Sequence, residues 1–156
     1  MIYRFKKLSI LFFIFTLLSM SVNAYALETN DPYFNSQWYL HHTEALEAWD
    51  ITFGSHYTTV AVIDTGIDIS HEDINFWKNS DEIPGDNIDN DNNGYIDDVS
   101  GWNFLKGTND VSPDDNLQVD DPDIIHHGTI VSGIIGGIPN NRVGIAGINW
   151  KAEIMP

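Results

Sequence analysis

The chain contains no cysteine, which excludes a disulfide framework, a thiol nucleophile and any thiolate metal site. It is almost as poor in positive charge: seven Lys and Arg stand against 23 Asp and Glu, giving a formal net charge of −16. With no basic face to neutralise phosphates, nucleic acid is excluded as a partner. No internal repeat of solenoid length is present. The acid excess has to be solvated or countered by bound cations, a first pointer to metal. What remains is ordinary: 156 residues is a single-domain length, and an apolar content of 42% suits a globular chain rather than a disordered one.

The N-terminus reads as a secretory signal peptide. Arg4, Lys6 and Lys7 form a basic lead, Leu8 to Met20 is apolar apart from Ser9, Thr16 and Ser19, and Ala24-Tyr25-Ala26 supplies a small-x-small cleavage pattern. The apolar run is shorter than the ~20 residues that span a bilayer, so cleavage after Ala26 is expected, with no membrane association afterwards. Losing three basic residues and no acids takes the net charge from −16 to −19. The expected product is secreted, cysteine-free and strongly acidic, and is taken as one domain from residue 27 to 156.

The stretch Thr58–Ser70, TTVAVIDTGIDIS, organises the rest. Val60 to Ile63 is a short, mostly β-branched run that stops at Asp64-Thr65-Gly66, which predicts a strand buried on both faces of a parallel sheet. An acid at the C-terminal end of such a strand lies where open α/β sheets bind ligands. Asp-Thr-Gly is also ordinary turn chemistry, and the residues alone leave both readings open. Upstream, Thr43 to Asp50 is a predicted helix with Thr43 as N-cap and Ala45, Leu46, Ala48 and Trp49 along one side. Helix, turn and buried strand make an α/β beginning.

A polar insertion follows from residue 79 to 123, with eleven acids between Asp86 and Asp123. Trp102, Phe104 and Leu105 argue against complete disorder there. Within it, Asp89, Asp91, Asn93 and Asp97 occupy positions 1, 3, 5 and 9 of an EF-hand-like loop with Gly94 at 6. Position 12 is Ser100 rather than Glu, and good flanking helices are missing. A single Ca²⁺-stabilised loop is therefore expected in place of an EF-hand, with a bare acidic turn as the alternative. Beyond it, Thr129 to Ile138 is small, apolar and glycine-rich, which suits a buried helix packed close to the sheet. His127 stands at its start, on the side of the sheet expected for Asp64, and adjacent His126 is a second candidate base.

These segments together resemble the subtilisin-like serine proteases, the subtilase family. VAVIDTGID is similar to the family's aspartate motif and HGTIVSGIIG to its histidine motif. NDPYFNSQWYL, EIPGDNIDNDNNGYIDDVSGWNF and NNRVGIAGINWKAEIMP are similar to segments before, between and after the two. The resemblance covers about residues 30–156. It implies a three-layer α/β fold with a mostly parallel central sheet, and hydrolysis of protein or peptide substrates. It also implies that Asp64 orients the imidazole of His127, which serves as general base and then general acid for a serine, in the order Asp, His, Ser. The base directly precedes Gly-Thr in the family, which favours His127 over His126. A structural Ca²⁺ is implied as well, with carboxylates from Asp31 and Asp73, the side chain of Asn141 and backbone carbonyls of Ile138, Val143 and Ile145.

The sequence departs from the pattern in three places. Ile130 replaces a second histidine that is not the base. Few residues separate Ala26 from NDPYF, so the family's propeptide is not expected. No Gly-Thr-Ser-Met segment occurs before Met155-Pro156, so the expectation is an N-terminal part of the catalytic domain, without the serine-bearing half and silent by itself. A non-catalytic secreted calcium-binding module and the product of a truncated gene are the alternatives.

Overall fold

The structure is a computed structural model that describes residues 28–116 and 122–156; the signal-peptide segment 1–26 lies outside the described residues. In chain order the elements are a 3₁₀ turn at Phe34–Ser36, α1 at Trp38–His42, α2 at Ala45–Trp49, β1 at Thr59–Ala61, a 3₁₀ turn at Pro122–His126, α3 at His127–Gly136 and β2 at Glu153–Met155. Among the described residues, no helix is long and apolar enough to cross a membrane.

β1 and β2 pair in parallel, with Thr59 opposite Glu153 and Ala61 opposite Met155. The other edge of β2 is met by the chain around Phe76, where Trp77 N–H donates to the Ile154 carbonyl and Ile154 N–H to that of Asn75, both at 2.9 Å. β2 is thus held on both edges, and its central residue Ile154 is fully buried. Around it lie Val62, Ile67 and Ile74, with Val131 and Ile135 of α3 laid across them. Glycine makes this contact close: a Cβ on Gly136 would stand 3.1 Å from Ile154 Cδ1. This is the helix-on-parallel-sheet packing of an α/β fold.

A second cluster joins Phe34, Leu40, Ala45, Leu46 and Trp49 to Ala146, with Tyr39, Phe53 and Trp150 packed against it. Its centre is a buried polar clasp. The Gln37 amide donates to the Ala146 carbonyl at 2.7 Å and its oxygen accepts from the Ala146 N–H at 2.9 Å. Both groups of an otherwise orphaned peptide are thereby satisfied.

Two expectations change. The helix expected over Thr43 to Asp50 is shorter, and Thr43 is not its N-cap. The Thr43 hydroxyl donates back to the Tyr39 carbonyl at 2.8 Å, closing α1, and Glu44 turns the chain with a left-handed φ of 57° before α2 begins. Ala45, Leu46 and Trp49 face the core as expected, whereas Ala48 is exposed. The strand is buried on one face rather than two. Val62 points at α3, while Ala61 is exposed and Ile63 is 93% exposed. Side chains alternate across a strand, and among the described residues only α3 covers a face of β1.

The acidic insertion is tied down at its first residue and at Val111: Asn79 N–H donates to the Val99 carbonyl at 2.8 Å and Ile67 N–H to that of Val111 at 2.9 Å. Inside it, Tyr95 packs against Trp102 and Phe104, with ring centroids 5.0 and 5.8 Å apart. The aromatics of Gly101–Phe104 thus give the loop a small core of its own.

Candidate active site

Asp64 follows β1 where the strand leaves the sheet, and His127 is the first residue of α3. The two side chains meet. His127 Nδ1 lies 2.8 Å from Asp64 Oδ2 and 3.0 Å from Oδ1. The approach is close because the second residue of α3 is a glycine: a Cβ on Gly128 would run into the Gly66 carbonyl oxygen and stand 3.1 Å from Asp64 Cβ. On the far side, the Thr129 hydroxyl accepts from the Asp68 N–H at 3.0 Å.

Asp64 Oδ1 also accepts from the Thr65 N–H at 2.7 Å and the Thr65 hydroxyl at 3.0 Å. Burial alone would push its carboxyl up, but these bonds and the His127 ring outweigh it, and the group is held below the usual carboxylate range. An ionised carboxylate only accepts, so the proton of the neutral ring sits on Nδ1 and the Nε2 lone pair is free to take another. The Asp64 side chain is 14% exposed and the His127 side chain 56%. The acid is sheltered while the working face of the imidazole is open.

His126 is placed differently. Its Nε2 lies 3.9 Å from Asp115 Oδ1, and both side chains are well exposed, a loose surface pair. Ser132 is fully buried inside α3, with its hydroxyl donating to the Gly128 carbonyl at 2.7 Å, so it is not available as a nucleophile.

The residues expected to hold calcium form two groups. In the first, Asp31 and Asp73 are both buried. Asn141 joins them: its N–H donates to Asp31 Oδ1 at 3.2 Å and its side-chain amide to Asp73 Oδ1 at 2.7 Å. The backbones of Val143, Ile145 and Ile138 close on the same knot, the first donating to Asn141 Oδ1 at 2.7 Å, the second to Asp73 Oδ2 at 2.9 Å and the third to the Asp73 carbonyl at 2.8 Å. Burial pushes the Asp73 carboxyl up against the hydrogen bonds from Ile145 and Asn141, and the Asp31 charge adds to the rise. Two buried acids supply the oxygen ligands a hard cation such as Ca²⁺ takes, although here their oxygens accept from N–H groups and the carbonyls of Ile138, Val143 and Ile145 are not seen aimed at them.

In the second group, Asp89, Asp91, Asn93 and Asp97 do not converge as one ring. Asp97 turns away to accept from the N–H groups of Gly85 and Asn87 at 2.7 and 3.1 Å, and Asp89 accepts from those of Asn93 and Gly94 at 3.0 and 2.8 Å. The carboxylates that do converge are those of Glu82, Asp91 and Asp98, whose oxygens lie within 4.8 Å of one another. The amide of Asn79 bridges Asp91 and Asp98 at 3.0 and 2.8 Å, and that of Asn93 does so at 3.0 Å to each. Glu82 and Asp98 were not anticipated from the sequence. Glu82 precedes the loop and lies outside its spacing, and the only signal for Asp98 was the doubled acid at Asp97-Asp98.

The family profile described as Subtilase family matches residues 55–156. The chain belongs to the subtilase family. The subtilase chain is 40% identical to Subtilisin-like protease 1 of Plasmodium berghei over 144 residues, covering 88% of its own length and 22% of that relative. It is 33% identical over 127 residues to thermitase of Thermoactinomyces vulgaris, 81% of its own length and 34% of thermitase. Among solved structures it is similar to a protease from Pseudoalteromonas arctica, with a TM-score of 0.53 and 28% identity over 82% of this chain and 38% of that one. The chain thus spans about a fifth of the Plasmodium relative and a third of thermitase. Subtilases commonly bind calcium, and the acidic cluster of Glu82, Asp91 and Asp98 could hold a metal ion.

Proposed function

We propose that this subtilase chain is the N-terminal part of a secreted, calcium-stabilised serine endopeptidase, and that Asp64 and His127 are two members of its catalytic triad. The contact of His127 Nδ1 with Asp64 at 2.8 Å carries the reading. His127 Nε2 accepts the hydroxyl proton of a serine as that oxygen attacks a peptide carbonyl, then returns the proton to the departing amine. Asp64 fixes the tautomer and supports the imidazolium formed between those steps. The nucleophilic serine is supplied outside these 156 residues, so this chain by itself is silent. Asp31, Asp73 and Asn141 would hold a Ca²⁺, which would supply countercharge to the two buried acids; their hydrogen bonds already tie the start of the domain to the segment after α3. Residues 1–26 direct export, and residues 79–123 form an acidic insertion with a second cation site at Glu82, Asp91 and Asp98.

A chimera in which residues 30–156 replace the matching segment of thermitase tests this. Peptide hydrolysis that falls by about 10⁴ to 10⁶-fold in His127→Ala is expected, as for loss of the base in subtilisin itself. A folded chimera whose hydrolysis equals that of its His127→Ala variant contradicts it. A second reading, a non-catalytic calcium-binding module, is favoured by one observation: the converging carboxylates of Glu82, Asp91 and Asp98 all come from this chain. Calcium-dependent folding of the chain together with an inactive chimera would select it.

A further inference from the structure

Thr65 adjoins Asp64, and its side chain does more than the turn requires. Its hydroxyl oxygen lies 3.0 Å from Asp64 Oδ1, but it is also 2.8 Å from the Ile124 carbonyl oxygen and 3.2 Å from that of Ile125. These carbonyls belong to the 3₁₀ turn Pro122–His126, which runs directly into His127. One hydroxyl therefore touches both the carboxylate and the backbone that presents the imidazole. From the opposite side, the Thr129 hydroxyl reaches back to the Asp68 N–H at 3.0 Å. The strand end and the helix start are fastened on both sides of the Asp64–His127 contact.

We propose that Thr65 is a positioning residue for this pair, its hydroxyl holding the turn before His127 at the distance at which Nδ1 reaches Asp64. The proposal rests on the peptidase reading of the site and adds to it. A hydroxyl has one proton and three acceptors here, so the proton alternates between the carboxylate and the turn carbonyls. Asp64 Oδ1 already accepts from the Thr65 N–H at 2.7 Å, and the shortest contact of the hydroxyl, 2.8 Å, is to the Ile124 carbonyl, so donation to that carbonyl is the bond that fastens the turn. A valine at this position keeps the shape of the side chain and loses every one of these bonds. A serine keeps the bonds and loses the methyl group.

The test is ring-nitrogen NMR on the full chain in saturating Ca²⁺, labelled in histidine, comparing the unmodified protein with Thr65→Val and Thr65→Ser. The expected result is a protected Nδ1–H on His127 in the unmodified chain and in Thr65→Ser. In a folded Thr65→Val, exchange of that proton is about tenfold faster or more, the worth of one charge-assisted hydrogen bond, and the ring shifts away from the Nδ1–H tautomer. A folded Thr65→Val with an unchanged tautomer and exchange rate overturns the proposal, as does loss of the signal in Thr65→Ser. If Thr65→Val does not fold, the Thr65 hydroxyl proton of the unmodified chain decides: slow exchange with a cross-peak to the Ile124–Ile125 segment supports the proposal, and its absence overturns it. Failure of the peptidase reading is distinguishable, because it shows in the unmodified chain as an imidazole not bonded to Asp64, or in an inactive chimera.

Discussion

Two glycines of α3 should respond oppositely to the same substitution. A Cβ on Gly128 meets backbone, running into the Gly66 carbonyl oxygen, with Asp64 Oδ1 at 3.3 Å. Neither group can swing aside, so Gly128→Ala has to lift the helix start off the strand end, and overpacking of this kind costs about 1–3 kcal/mol. A Cβ on Gly133 meets only Ile145 Cδ1 at 3.5 Å, an ordinary contact with a flexible side chain. Gly133→Ala therefore removes glycine's helix penalty without a clash and gains about 0.5–1 kcal/mol. The two variants should differ by roughly 1.5–4 kcal/mol, and at about 2–4 °C per kcal/mol for a chain of this size their midpoints should separate by roughly 3–16 °C. Thermal unfolding in saturating Ca²⁺, followed by circular dichroism, reads this directly. Displacement by even 1 Å also weakens a catalytic pair about 100-fold, so a thermitase chimera carrying Gly128→Ala should lose activity while the Gly133→Ala chimera keeps it. Equal shifts of the same sign in both variants would refute the reasoning from close approach.

Other tests bear on separate parts of the molecule. Gln37→Ala leaves the buried N–H and carbonyl of Ala146 unpaired and should cost about 2–4 kcal/mol in urea unfolding; a loss within 0.5 kcal/mol, as expected for a surface change, would mean the clasp contributes little. The Asp64 carboxyl is held below its usual range in the fold. Its share of stability is present above the ordinary carboxylate pKa and is lost as pH falls through the depressed folded value. Asp64→Asn should therefore flatten the acid limb of the stability-against-pH curve, and an unaltered limb would contradict the assignment. Ca²⁺ at 100 times its dissociation constant should add about 2.7 kcal/mol of stability, a gain that Asp31→Asn with Asp73→Asn should abolish for the first cation site. Persistence of the full gain in the double variant would place the ion elsewhere.

The local patterns, a β-branched run ending in Asp-Thr-Gly and a glycine-rich helix opening with His-Gly-Thr, put Asp64 and His127 on one side of the sheet, but it was their resemblance to two family motifs that implied the pairing. Features that depend on the far side of the chain were not. Thr43 has the composition of an N-cap, but its hydroxyl is taken by Tyr39 and Glu44 adopts a left-handed turn, which no local pattern announces. The apolar run Val60–Ile63 reads as doubly buried, yet burial is decided by what lies opposite, and Ile63 faces outward. Glu82 joins Asp91 and Asp98 only because backbone N–H groups of Asn90, Asp91 and Asp97 fold around its carboxylate. Gln37 gives no sign of its importance until Ala146, far along the chain, is brought beside it.

The register of β1 against β2 also has a kinetic side. Thr59 finds its partner Glu153 ninety-four positions later, and closing a loop of that length costs about 4 kcal/mol of chain entropy before any sheet bond is repaid. The partners of Asp31, Gln37 and Asp73 likewise arrive between Ile138 and Ala146. On a ribosome working from the N-terminus, these ties wait for residues 138–155, whereas the Asp64–His127 contact and the bonds inside the acidic insertion join earlier residues to one another. Strand pairing, the Gln37 clasp and the Asp31–Asp73 knot then become available over residues 138–155. Formation of these three long-range ties is thus deferred until residues 138–155 have been made.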